Sequence, residues 1–372
     1  MYFTDDSLLP ENQDPLIITA APYGPIWMPD DYPEDIPVTW DQQVQKAVDC
    51  YNAGATMLHI HVRDPKTGHI SKNLKEYGDL VGRLRQAVPK MILQIGGSIS
   101  FAPEGDGDKA KWQSYDTRHM LAGIDPKPDQ VTVAIGSSLY DMTPLTTMDD
   151  LAGTHLANPQ MIWAFSNMVA DSTPEFYVEH LKRLKQHGID PYFAIPGAYS
   201  LAIIERLVRA GIHMGPVNGF FSMVGGGGAG SNPLDWMELI RRTPHGSVWT
   251  YQTMWRYSWP LAAMCIALGQ HTRTGIEENL WDTQKGKRLT SVQMIEKHVR
   301  MARELGREIA TAEDARRIMK VGVTYNSVEE TLINLGLPPN RQEGQTGFLG
   351  YTTDGKLPIP RPAEAPDPRH LI

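Results

Sequence analysis

Leu58-His59-Ile60-His61-Val62-Arg63-Asp64 decides how the chain is read. Apolar residues interleave two histidines two positions apart. In a strand, side chains at i and i+2 point to one face, so His59 and His61 present their imidazoles side by side. A strand can chelate a transition metal in this way, His being a common ligand. A plain polar patch on a strand carries the same pattern, and only the rest of the chain separates the two. Arg63 and Asp64 mark where the strand gives way to a loop.

Outward from this stretch, strands alternate with helices. Residues 16–21 form a continuous apolar run that suits a strand buried on both faces, and it ends in Pro22-Tyr23-Gly24-Pro25. Thr39 can cap a helix over 42–52 that Gly54 ends, ahead of the His-bearing strand at 56–62. A helix at 74–88 leads to a strand at 91–95 closed by Gly96-Gly97-Ser98, and the strand at 129–134 ends in Ile135-Gly136-Ser137-Ser138. Residues 161–165 are apolar and strand-like, with no clear place in the sheet. Pro174 opens a helix to His187, and Pro233 opens one to Arg242. Strands at 191–195, 217–224, 247–251 and 271–275 alternate with helices at 201–210, 259–268 and 291–305. A capping box at Thr311 and Asp314 starts a last short helix.

Repeated strand–helix units imply a parallel sheet, and about eight of them in roughly 300 residues favour a closed (β/α)8 TIM barrel of the α/β class. The active site of such a barrel lies at the C-terminal ends of its strands, where the chemically distinctive loops of this chain also fall. The expected division is an N-terminal arm at 1–15, a barrel at 16–320 and a C-terminal extension at 321–372. That extension is Pro- and Gly-rich from Leu337 onward. It reads equally as an arm packed on the barrel or a neighbouring subunit and as a disordered tail.

The 372 residues are 41% hydrophobic and 21% charged, enough for a sizeable core. The formal charge of -8 argues against nucleic acid as a partner. The two cysteines, Cys50 and Cys265, fall in segments that read as buried helix, which argues against a disulfide framework or a thiolate zinc site. The acidic start lacks a signal-peptide pattern and no apolar run is long enough to span a bilayer, so a cytoplasmic protein is expected.

The second anchor is Arg273-Thr274-Gly275-Ile276-Glu277-Glu278-Asn279, which follows the eighth strand. In a closed barrel that strand neighbours the first, with the His-bearing second strand one place further. A carboxylate from Glu277 or Glu278 can therefore reach the histidine pair across the mouth. Two imidazoles and one carboxylate with an open fourth position form a catalytic zinc arrangement.

Three stretches together resemble the β-keto acid cleavage enzymes, the family that includes 3-keto-5-aminohexanoate cleavage enzyme. They are 54–64, 269–279 and 302–316, and the likeness runs with gaps from about Leu16 to Met319. The resemblance implies a zinc-bearing, oligomeric TIM barrel, expected here as a homo-dimer or homo-tetramer. It also implies transfer of the acetyl end of a β-keto acid to the acyl part of acetyl-CoA, giving acetoacetate and a new CoA thioester. Carried over, His59, His61 and Glu277 are the zinc ligands, Arg273 is the active-site arginine, and Glu278 stands where the family has an aspartate general base. Ser98 and Ser137, just after the third and fourth strands, are candidates to bind substrate oxygens, though turn chemistry explains serines there as well.

The departures are informative. Glu278 is one methylene longer than the family's aspartate. Pro22-Tyr23-Gly24-Pro25-Ile26-Trp27 lacks the carboxylate that suits an amine-bearing substrate. Ala134 replaces an asparagine, and Tyr192-Phe193-Ala194-Ile195-Pro196 lacks carboxylates. Kept metal ligands with altered walls predict a different substrate, or a different reaction on the same metal, so a metal-dependent hydrolase or lyase that does not use CoA is the alternative. Gly225, Gly227 and Gly230 fit G-x-G-x-x-G, but the next strand ends in Gln252-Thr253-Met254 without the acid a dinucleotide fold needs. A glycine-rich barrel loop giving close backbone approach to CoA phosphates suits the run better, and Lys285-Gly286-Lys287-Arg288 could meet such a phosphate, with a solvated charge cluster as its default reading.

Overall fold

The computed structural model describes residues 6–96, 99–100, 111–141, 146–164, 166, 168–222 and 230–341. Eight parallel strands close into a barrel: β1 (Ile18–Ala20), β2 (Met57–Ile60), β3 (Ile92–Ile95), β4 (Gln130–Ala134), β5 (Asp190–Ile195), β6 (Asn218–Ser222), β7 (Val248–Gln252) and β8 (His271–Thr274). Each strand neighbours its sequence neighbours, and β8 closes on β1 with Thr19 opposite Arg273. The outer helices are α1 (Trp40–Asn52), α2 (Leu74–Ala87), α3 (Tyr115–Met120), α4 (Pro174–His187), α5 (Ala198–Arg209), α6 (Pro233–Arg242), α7 (Ser258–Ala267) and α8 (Ser291–Glu304). The helix starts follow local chemistry: Thr39 and Thr290 make capping boxes with Gln42 and Gln293, and Pro174 and Pro233 sit in the first turns of α4 and α6.

Alternation along the strands divides the core in two. Outward residues such as Ile18, Leu58, Leu93, Val133, Phe193 and Phe221 pack with the helices in one large cluster. Inward residues Ile17, Met57, Ile92, Tyr192 and Phe220 form a second cluster, closed below by Ala315 and Met319 at the helix Ala312–Ile318. Above this plug the barrel interior turns polar, with Thr19, Gln94, Thr132, Thr250 and Arg273 all buried. The parallel sheet is thus covered on both faces, as its apolar runs require.

Two segments differ from expectation. Residues 161–165 are not a strand: a helix spans Pro159–Ala164, because Asn158 caps the Gln160 N–H and Pro159 presets the first turn, while Phe165 lies outside the described residues. The extension is not featureless after Gly322: a helix at Val328–Asn334 buries Leu332 against the core, and Arg209 donates to the Pro338 carbonyl at 3.1 Å. Up to Arg341 this segment therefore packs on the barrel. Cys50 and Cys265 are buried free thiols on α1 and α7. None of the described helices is long and apolar enough to cross a membrane.

Candidate metal centre and cavity at the barrel mouth

His59 is in β2 and His61 just beyond it, and their Nε2 atoms lie 3.0 Å apart. Glu277 reaches them from the loop after β8, with Oε2 3.4 Å from His59 Nε2 and Oε1 3.4 Å from His61 Nε2. All three side chains are buried, and together they could hold a metal ion. Glycines allow the approach. A Cβ on Gly96 would strike both imidazoles, one on Gly24 would strike the Glu277 side chain, and one on Gly275 would strike the Ala21 carbonyl. Gly275 also has φ +144°, a conformation open to glycine. The turn it permits lets Glu277 N–H donate to the Ala21 carbonyl at 3.1 Å, which pins the carboxylate over β1.

Gln94 on β3 orients His59: its Oε1 meets His59 Nδ1, and its Nε2 donates to the Thr132 hydroxyl at 2.5 Å and the Ile95 carbonyl at 2.7 Å. Burial, aided by Arg273, lowers the His59 pKa to about 4, which keeps the imidazole neutral as a ligand must be. Burial opposes charge on Glu277 as well, but Arg273, His59 and His61 outweigh it and hold the carboxyl well below its usual range. Glu277 Oε2 is buried with no hydrogen-bond partner and faces His59.

Arg273 bridges the two glutamates. Its guanidinium lies 2.7 Å from Glu277 Oε1, and its Nε donates to Glu278 Oε1. Gln252 on β7 donates to the other Glu278 oxygen at 2.6 Å. Burial, with Glu277 close by, raises the Glu278 pKa to about 7. Trp255 N–H donates to the Glu278 carbonyl at 3.0 Å from a left-handed conformation, φ +59°, that a bulky residue rarely adopts. The cavity above is lined by His59, His61, Glu277, Arg273 and Gln252 on one side and by Ala134, Ala170, Ala194, Pro196, Phe220 and Met254 elsewhere. Glu278 itself does not line it but sits behind Arg273 and Gln252.

The remaining expected residues fall differently. Ser98 lies outside the described residues. Ser137 is exposed, and its hydroxyl accepts from Ser172 N–H at 2.8 Å and donates to Asp171 at 3.3 Å, while the neighbouring Ser138 lines the cavity. Of the glycine-rich run at 225–230, residues 225–229 lie outside the described residues, and the Gly230 carbonyl accepts from the Trp236 indole N–H at 2.8 Å. In the basic loop, Lys285 pairs with Asp149, Lys287 with Asp282 at 3.1 Å, and Arg288 donates to the Asp31 carbonyl. Gln94, Thr132 and Gln252 had no sequence signal beyond being polar residues in apolar strands. Arg63, read as the strand end, is buried and donates to the Gly24 and Trp27 carbonyls at 2.9 and 3.2 Å, fixing the loop that abuts Glu277.

A closed parallel (β/α)8 barrel with a buried His-His-Glu cluster at the C-terminal mouth of its strands is a barrel with a candidate metal centre. The family model described as beta-keto acid cleavage enzyme matches residues 15–321, and the chain belongs to that family. It is 25% identical over 308 residues to a 3-keto-5-aminohexanoate cleavage enzyme of Acetoanaerobium sticklandii, covering 82% of this chain and 98% of that protein. It is also 25% identical over 292 residues to a 3-dehydrocarnitine:acetyl-CoA trimethylamine transferase of Rhizobium meliloti, covering 77% and 90%. Among solved structures, apo ObcA superposes with a TM-score of 0.58 at 15% identity, over 77% of this chain and 66% of that one, a likeness of fold.

Proposed function

We propose that the protein is a zinc-dependent acyltransferase that cleaves a β-keto acid with acetyl-CoA as co-substrate. The observation that carries this is the His59–His61–Glu277 cluster beside the Arg273–Glu278 couple, in a family of β-keto acid cleavage enzymes. A tetrahedral zinc with bonds of about 2.0–2.2 Å separates its ligand atoms by about 3.3–3.6 Å. The two 3.4 Å separations and the unpartnered Glu277 oxygen fit that demand, and the 3.0 Å between the two imidazole nitrogens is about 0.3 Å short of it. Bound there, zinc would supply Lewis acidity toward the keto and carboxylate oxygens and so acidify the methylene between them.

The chain's residues do the rest. Glu278 takes up a proton from that methylene through a bridging water, since it sits behind Arg273 and Gln252 and does not line the cavity, and its raised pKa suits a base working near neutrality. Gln252 lines the cavity and donates its amide to Glu278, and Arg273 balances the charge of both glutamates as the proton moves. The methylene carbon bonds to the acetyl carbon of acetyl-CoA, whose C–S bond breaks. The released thiolate then adds to the original keto carbon, the bond between that carbon and the methylene carbon breaks, and the carbanion so formed takes back the proton from Glu278, giving acetoacetate and the new thioester. Ser138 lines the cavity and Ser137 is next to it, so both are placed to be tested as substrate-oxygen donors.

The test is metal analysis of purified protein, followed by a β-keto acid panel with and without acetyl-CoA. About one zinc per chain, lost in His61→Ala, and turnover only with the thioester are expected. Turnover without acetyl-CoA would favour the hydrolase or lyase alternative.

A further inference from the structure

The metal cluster stands on β2 and β8, and β4 lies opposite β8 in the closed order, with β5 opposite β1. The cavity wall across from the cluster is therefore built by Ala134 of β4 and Ala194 of β5, which are register partners, with Ala170 and Pro196 beside them. Ile26 and Met254 add apolar lining from the loops after β1 and β7, and Thr132, Ser138 and Ser222 add hydroxyls. The short side chains leave a lobe of the cavity open where longer ones would fill it. Among the described lining residues, the ionised side chains are Arg273 and Glu277, on the metal side and already paired with each other. The carboxylate next to the lobe, Asp171, bonds to Ser137 and does not line the cavity. Among the described lining residues a charged tail would find no free counter-charge to replace its lost water, whereas each buried methylene is favourable.

Resting on the function proposed above, we infer that this lobe receives the tail of the keto acid, and that the tail is uncharged and aliphatic. A tail bearing an ammonium group or a second carboxylate is excluded. The tail leaves on the keto carbon as part of the new thioester, so the second product is an aliphatic acyl-CoA.

The experiment compares 3-oxoheptanoate, 3-oxoadipate and 5-amino-3-oxohexanoate with the metal-loaded enzyme. Acetyl-CoA-dependent kcat/KM is measured alongside direct binding by calorimetry. The uncharged acid should exceed each charged one by 100-fold or more in both readouts, since a pocket without a partner rejects charge strongly. Ala134→Leu should move the chain-length optimum toward shorter tails, and Ala194→Lys should shift preference toward 3-oxoadipate. A charged acid that binds or turns over as well as the uncharged one overturns the inference and leaves the acyltransferase reading standing. The expected binding order without any turnover overturns that reading instead and leaves the lobe's preference intact. A normal chain-length profile in Ala134→Leu, with the variant folded and metal-loaded, also counts against the lobe.

Discussion

The resemblance puts Glu278 where an aspartate general base is expected, and in the structure Gln252 and Arg273 hold its two oxygens behind the residues that line the cavity. If Glu278 is the base, Glu278→Gln should lower kcat by about 10²–10⁴-fold. Zinc content should be unchanged, because the proposed ligand is the neighbouring Glu277. Metal analysis and steady-state kinetics on the same preparation check both; wild-type kcat in that variant would make Glu278 a structural partner of Arg273. Of the residues in the cluster, the His59–His61 pair was legible from its spacing on a strand, whereas spacing left Glu277 and Glu278 open and only the resemblance picked Glu277. Gln94 and Gln252 were not, since each acts on a residue distant in sequence.

At the scale of elements, the junction of β1 and β8 carries the site. Gly275 turns the chain tightly enough for Glu277 to bond to the Ala21 carbonyl, and its φ of +144° leaves no room for a side chain. Gly275→Ala should destabilise the fold by about 2–4 kcal/mol through strain and clash. It should also weaken metal retention, because the third ligand shifts; melting of the metal-free and metal-loaded protein, with metal content, reads the two effects apart. Pro174, Pro233 and the capping threonines placed their helices from local chemistry alone. Residues 161–165 misled because five apolar residues carry no period long enough to separate helix from strand, and Asn158-Pro159 settled it.

Across the whole molecule, the base of the barrel is tied to the segment that follows the plug helix. Asp190, first in β5, accepts the Gly322 N–H at 2.7 Å. Burial, reinforced by Asp129, raises its pKa from 3.8 to about 6 despite that hydrogen bond. The folded state thus holds the proton more tightly than the unfolded chain. Its favourable contribution is complete below about pH 4 and is lost as pH rises through 6. Asp190→Asn should therefore gain about 1–2 kcal/mol relative to wild type above pH 6 and show little of that gain near pH 4. Urea midpoints across that range test it, and a gain independent of pH would rule the cause out.

Strand and helix order and barrel closure followed from the sequence, because periodicity and caps are local and about eight strand–helix units favour a closed sheet. The lid of uncharged wall opposite the ligands, the inward polar layer above an apolar plug, and the burial of Glu278 behind Arg273 belong to the tertiary structure. Each depends on which strands face one another across the barrel, and that distance in space has no fixed counterpart in distance along the chain.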